Sequence, residues 1–299
     1  MCGIVGLFAK SPEIEARMGA LIAAMLVELT SRGPDSAGIA LYREPVAAGA
    51  QKLVLFSPDP DEDWAAVAAS LEALSGAPVT HAVRASHAVL VAQGALEPLR
   101  AGLARTHPHL RLMSAGRAIE IFKEKGLPSE VAARFALGDI AASHAIGHTR
   151  MATESAVTTE HSHPFSTGPD LCLVHNGSLS NHNWWRERLQ SEGIAFQTDN
   201  DSEVAAGYLS WRLGQRASLD QALGAARADL DGFFTFCVGT QDGFAVLRDP
   251  IACKHAVLAE TADWVAMATE YRAIARLPGA ESARIWEPAP GRVYHWGRA

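Results

Sequence analysis

The sequence has no basic excess. Its 299 residues carry 26 Lys+Arg against 33 Asp+Glu, a formal charge of −7. Nucleic-acid binding normally leaves a basic stripe and membrane-surface binding a polybasic cluster, so neither partner is expected. Long apolar runs are also missing. Stretches such as residues 22–27 fall far short of the ~20 residues that span a bilayer. No basic leader precedes an apolar core at the N-terminus, which makes cytoplasmic the expected localisation. Cysteines are few (Cys2, Cys172, Cys237 and Cys253), and none forms a C-x-x-C pair. A zinc knuckle, a redox pair and a cysteine-held iron–sulfur cluster are therefore not expected on this chain. A phosphate-cradling G-x-x-x-x-G-K-[ST] loop and a dinucleotide fingerprint are absent as well, so no nucleotide or flavin of its own is expected.

What is present is an ordinary globular composition, 48% hydrophobic and 20% charged, long enough to bury a full core without staples. Residues 2–8 read as a buried strand. Ser11-Pro12-Glu13 reads as a helix start, followed by apolar residues at helical spacing from Ile14 to Leu29 and a stop near Arg32-Gly33-Pro34. Strands are expected at 38–41, 52–56, 145–149, 171–175, 233–239, 244–248 and 264–268, with amphipathic helices at 203–213 and 219–230. Residues 57–140 have a different, Ala-rich texture, with helical patterns at 64–74, 96–104 and 130–137 and strands at 87–92 and 119–123. This segment reads as an insertion packed on the main domain. The pattern as a whole gives a layered α/β architecture.

Cys2 stands out by position. Initiator methionine is removed when the second residue is small, which would leave a cysteine with a free α-amino group. That amine has a reference pKa of ~7.7–8.0 and can serve as general base to its own thiol. Cys172 and Cys237, inside apolar runs, read instead as small buried hydrophobes.

Further motifs follow Cys2-Gly3-Ile4-Val5-Gly6 in order. They are Arg32-Gly33-Pro34-Asp35-Ser36-Ala37-Gly38, Gly147-His148-Thr149-Arg150-Met151-Ala152-Thr153, His175-Asn176-Gly177 and Asp201-Ser202-Glu203. Asp231-Gly232-Phe233, Arg248-Asp249-Pro250, Thr269-Glu270 and Pro290-Gly291 continue the series. Together they resemble the class II, N-terminal nucleophile, glutamine amidotransferases over nearly the whole chain outside the insertion. The resemblance implies the four-layer αββα sandwich of N-terminal nucleophile hydrolases. It implies that Cys2 attacks the side-chain amide of L-glutamine and forms a γ-glutamyl thioester. Asn176 and the Gly177 backbone N–H would hold the oxyanion, Arg150 the substrate α-carboxylate and Asp201 its α-ammonium. Arg32 would support the Cys2 end of the site, and Thr153 the glutamine pocket. Each motif also has a plain structural reading: a hairpin turn for Asn176-Gly177, a surface ion pair for Arg150, a helix N-cap for Asp201, a turn for Gly33-Pro34. Met151 and Glu154 depart from the commoner family pattern at the pocket rim.

The histidine pair His161-Ser162-His163 puts two imidazoles on one face of an expected strand, but no third ligand accompanies it and no metal site is expected there. His148 and His175 read as structural hydrogen-bonders, and Trp184-Trp185 as core or interface. Segments such as residues 119–128 and 150–155 look like the stand-alone glutaminase subunits related to glutamate synthase, the GlxB-like group among them. That likeness implies a hetero-oligomer in which a glutamate-synthase-like partner chain receives the ammonia. FMN and an iron–sulfur cluster would sit on partner chains. The alternative is a glutaminase-like subunit of N-methylglutamate synthase. A non-catalytic glutamine-sensing scaffold is a further alternative, disfavoured because binding alone needs no nucleophile.

Overall fold

The computed structural model describes residues 2–152 and 156–298; Thr153 and Glu154 therefore lie outside the described residues. Two antiparallel sheets stack face to face. The first has seven strands, in spatial order Arg284–Trp286, Val257–Glu260, Trp264–Ala268, Gly3–Ala9, His144–Arg150, Ser36–Tyr42 and Ile119–Lys125. The second has five, ordered Val293–Gly297, Gly243–Arg248, Gly232–Thr240, Leu171–Leu179 and Phe165–Gly168.

The strand Gly3–Ala9 lies inside the first sheet and is buried at every position. Such a strand needs apolar residues on both faces, which explains its near-continuous hydrophobic sequence. One face meets the helix Met18–Glu28. The other meets Cys172, Val174, Cys237, Phe244 and Val246 of the second sheet. The far face of the second sheet is covered by helices His182–Ser191, Asp201–Gly214 and Leu219–Asp229, around Phe234, Phe236 and Tyr208. The layers are thus helix, sheet, sheet, helix, the expected αββα sandwich.

The helix expected from residue 12 onward is two helices. Pro12–Ala16 ends at Arg17, and Met18–Glu28 starts afresh. Gly19 explains the break. A Cβ there would lie 1.9 Å from Leu137 O, and its N–H donates to Ile140 O at 2.9 Å. The second helix is set by docking on the 137–140 turn, which periodicity does not encode.

A third, four-stranded sheet is ordered Thr80–Arg84, His87–Gln93, Ala50–Phe56 and Arg111–Gly116. Helices Trp64–Ser75 and Leu96–Thr106 cover one face around Leu53, Leu71, Leu90 and Leu103. Val54, Phe56, Val89 and Met113 on the opposite face join the main core. The strands of this hydrogen-bonded extra sheet run from Ala50 to Gly116. Ile119–Lys125 pairs with Ser36–Tyr42 in the seven-stranded sheet, and Val131 and Phe135 of the segment that follows are buried in the main core.

Candidate active site

The two sheets bring their motif residues to one edge of the sandwich. Cys2 immediately precedes the strand Gly3–Ala9, and Gly3 pairs with Thr149, next to Arg150 at the end of its strand. Leu171–Leu179 of the second sheet carries His175, Asn176 and Gly177, and the helix Asp201–Gly214 opens with Asp201. Cys2, Arg32, Arg150, Asn176, Gly177 and Asp201 all line one cleft of about 600 Å³. That is a volume suited to a small metabolite.

Cys2 is half-buried, and its Sγ lies 3.8 Å from Met151 O. Its carbonyl oxygen accepts from Arg32 Nε at 3.0 Å and from Asn176 Nδ2 at 3.2 Å. Arg32 also pairs with Glu270, which holds its guanidinium in place. Thr269 adds a second tether: its hydroxyl oxygen accepts from Ile4 N at 2.8 Å and from Asn176 Nδ2 at 3.3 Å.

Asn176-Gly177 is no hairpin turn; both residues sit inside a continuous strand. Gly177 has φ +149°, and a Cβ there would lie 2.0 Å from Phe233 O on the paired strand. Only glycine fits without moving backbone. His148 Nε2 stands 3.2 Å from both Asn176 Oδ1 and His175 O. Both are acceptors, so Nε2 carries the proton and the Asn176 amide is oriented with Nδ2 towards Cys2. Burial pushes the His148 pKa down to about 3, so the ring is neutral near pH 7.

Asp201 is not the N-cap; that role falls to Asn200, whose side chain accepts from Ser202 N at 2.9 Å. Asp201 accepts from Leu179 N at 3.0 Å and from the Ser202 hydroxyl at 3.2 Å. Arg150 is buried rather than a surface group. Its Nη1 donates to Ala156 O at 3.0 Å, and burial lowers its pKa while nearby Cys2 and Asp35 raise it. Gly33 presses on this strand, since a Cβ would lie 2.5 Å from Arg150 N.

Several contributors had no role assigned from sequence. His161-Ser162-His163 is a turn, not a strand, so the two imidazoles part company. His161 bonds Thr158 and Asp199, whereas His163 is buried, stacked on His148 with ring centroids 4.0 Å apart. The turn is held by Lys123, whose Nζ donates to the carbonyls of Glu160, Ser162 and Pro164 at 2.7–3.2 Å. Lys254 and His255 line the mouth of the cleft. An amphipathic pattern does not distinguish such residues, and Lys123, followed by Glu124 and Lys125, reads in sequence as part of a short charged run. Trp185 is core and Trp184 is exposed.

Sandwich and cleft together define an N-terminal nucleophile hydrolase fold with a cysteine at the head of its first strand. The glutamine amidotransferase domain family matches residues 148–276. The glutamine amidotransferase-like protein GlxB of Rhizobium meliloti is 55% identical over 297 residues, covering 99% of this chain and 98% of that protein. A relative from Methanothermobacter thermautotrophicus is 30% identical, covering 98% and 99%. Among solved structures, the glutamine phosphoribosylpyrophosphate amidotransferase of B. subtilis superposes with a TM-score of 0.62 at 19% identity. It matches 99% of this chain, which spans 47% of that one. This chain belongs to the class II glutamine amidotransferase family. Among the described residues, no helix is long and apolar enough to cross a membrane.

Proposed function

We propose that this chain is a glutaminase subunit that releases ammonia from L-glutamine through a Cys2 γ-glutamyl thioester and supplies it to a glutamate-synthase-like partner chain. The carrying observation is the convergence of Cys2, Asn176, Gly177, Arg150 and Asp201 on one cleft. With Met1 removed, the Cys2 amine takes the thiol proton as sulfur attacks the amide carbon. The tetrahedral oxyanion draws on Gly177 N–H and on the Asn176 amide, whose second N–H exchanges Thr269 for the new charge. The amine returns the proton to the leaving ammonia. Water then attacks the thioester carbon, releasing glutamate and restoring the thiol. Arg150 provides a planar fork for the α-carboxylate and Asp201 a carboxylate for the α-ammonium, which selects free glutamine over a glutamine within a peptide. Ammonia is protonated and lost in water, which favours a docked acceptor and hence a hetero-oligomer.

Intact mass before and after treatment with the glutamine-like diazoketone 6-diazo-5-oxo-L-norleucine tests the chemistry. The expected result is a chain lacking Met1 with one adduct on Cys2, and no adduct or glutamate release in Cys2→Ala. Unchanged turnover in Cys2→Ala would sink the proposal. Co-elution with a glutamate-synthase-like subunit on size exclusion tests the partner. A switch from ammonia to N-methylated product with methylamine would move the assignment to N-methylglutamate synthesis.

A further inference from the structure

The geometry points to a second, non-catalytic site: a divalent transition-metal site of the zinc class, formed by Glu62, His107 and His109 on the extra four-stranded unit. One ligating atom from each of the three lies within 4.8 Å of the other two. A tetrahedral zinc ion with bonds of ~2.0–2.1 Å wants donors about 3.4 Å apart, so small side-chain rotations bring the set to a single ion. The donors are two imidazoles and a carboxylate, a combination that suits zinc, cobalt or nickel better than magnesium or calcium.

Hydrogen bonds to neighbouring side chains hold Glu62 and His107 in place. Ser57 Oγ donates to Glu62 Oε2 at 2.7 Å, and His107 Nε2 lies 2.9 Å from Ser70 Oγ, which itself donates to Ala66 O. His109 Nε2 stands 2.8 Å from Glu62 Oε2. A carboxylate only accepts, so a proton occupies the line between the two, where a cation would replace it. The His107-Pro108-His109 turn is fixed by His107 N donating to Leu103 O at 2.7 Å and Leu110 N to His107 O at 3.1 Å. Glu62 sits just before the helix Trp64–Ser75, and His107 just after Leu96–Thr106. The bound ion would clamp the start of one helix to the end of the other. Three protein ligands leave a position for water, so the ion is exchangeable.

Full-length, metal-free protein is titrated with zinc chloride by calorimetry, and with cobalt(II) followed by visible absorption. One equivalent is expected to bind at micromolar metal. The melting temperature should rise by about 5 °C at a hundredfold excess over Kd. Binding and shift should both vanish in His109→Ala and in Glu62→Gln and persist in Cys2→Ala and His255→Ala. His109 is half-exposed, so its variant is expected to fold. The inference is overturned by an absence of saturable binding, by binding that survives both site variants, or by binding lost in Cys2→Ala.

Discussion

His148 Nε2 donates to Asn176 Oδ1 across 3.2 Å, joining the two stacked sheets directly beneath the cleft. A buried neutral imidazole thereby decides which end of the Asn176 amide faces Cys2. A flipped amide would present an oxygen where the proposed mechanism places the oxyanion. His148→Ala is expected to lower kcat for glutamine hydrolysis by about 10- to 100-fold while KM stays within about twofold, because the lost interaction serves the transition state. Asn176→Ala should cost about 100- to 1,000-fold. Steady-state glutamate release on both variants checks this, and a His148→Ala effect confined to KM would contradict it.

Gly177→Ala is expected to be worse than its one added methyl suggests. Its Cβ would meet Phe233 O at 2.0 Å in a φ of +149°. The clash is with paired backbone, so strand Gly232–Thr240 must shift away. A stability loss of about 2–4 kcal/mol in urea unfolding and loss of glutaminase activity are expected together. Full stability with lost activity would instead locate the effect in the substrate alone.

Much of this site was legible in the sequence because it rests on short motifs whose spacing survives folding. Cys2, Arg32, Arg150, Asn176, Gly177 and Asp201 come from five separate segments and line one cleft. What the sequence does not carry is the support beneath them. His163 stacks on His148 from a turn whose carbonyls at 160, 162 and 164 are gathered by Lys123, on the far strand. The fold shows the same division. The buried strands with apolar runs are readable, whereas Thr80–Arg84 and Arg284–Trp286 are short, mostly exposed edge strands with no periodic signal. Helix His182–Ser191 buries only Trp185 and Leu189, too few positions to register as a helical stripe.

Substrate recognition has a charge-specific test. Asp201→Asn keeps the size of the side chain but removes its charge, and the new amide must still face Leu179 N, 3.0 Å from Oδ2. KM for glutamine is expected to rise about 10- to 100-fold with a smaller effect on kcat, since the proposed contact to the α-ammonium would hold equally in ground and transition states. Arg150→Lys should act in the same direction, because an ammonium cannot match a planar fork on a carboxylate. A KM unchanged in both variants would remove these residues from α-group binding.

Acid stability should expose the buried histidines. Burial pushes His87, His144 and His148 down to about 3 from an ordinary value near 6.5. Between those values the unfolded chain takes up protons that the folded chain refuses, so stability rises with pH across that window and is lost as pH falls below 6.5. Each such group steepens the slope by up to about 1.4 kcal/mol per pH unit. His87 makes the cleanest probe. It is fully buried among Phe56, Phe122 and Phe135, away from the cleft, and among the described residues its Nε2 has no hydrogen-bond partner. His87→Phe extends that aromatic cluster and removes one proton from the linkage. Urea unfolding from pH 7 to pH 4 should give a visibly shallower loss of stability for the variant, with glutamine turnover at pH 7 unchanged. An identical slope would mean that His87 is protonated in the folded chain over this range, and that the Lys123 charge and burial do not keep it neutral.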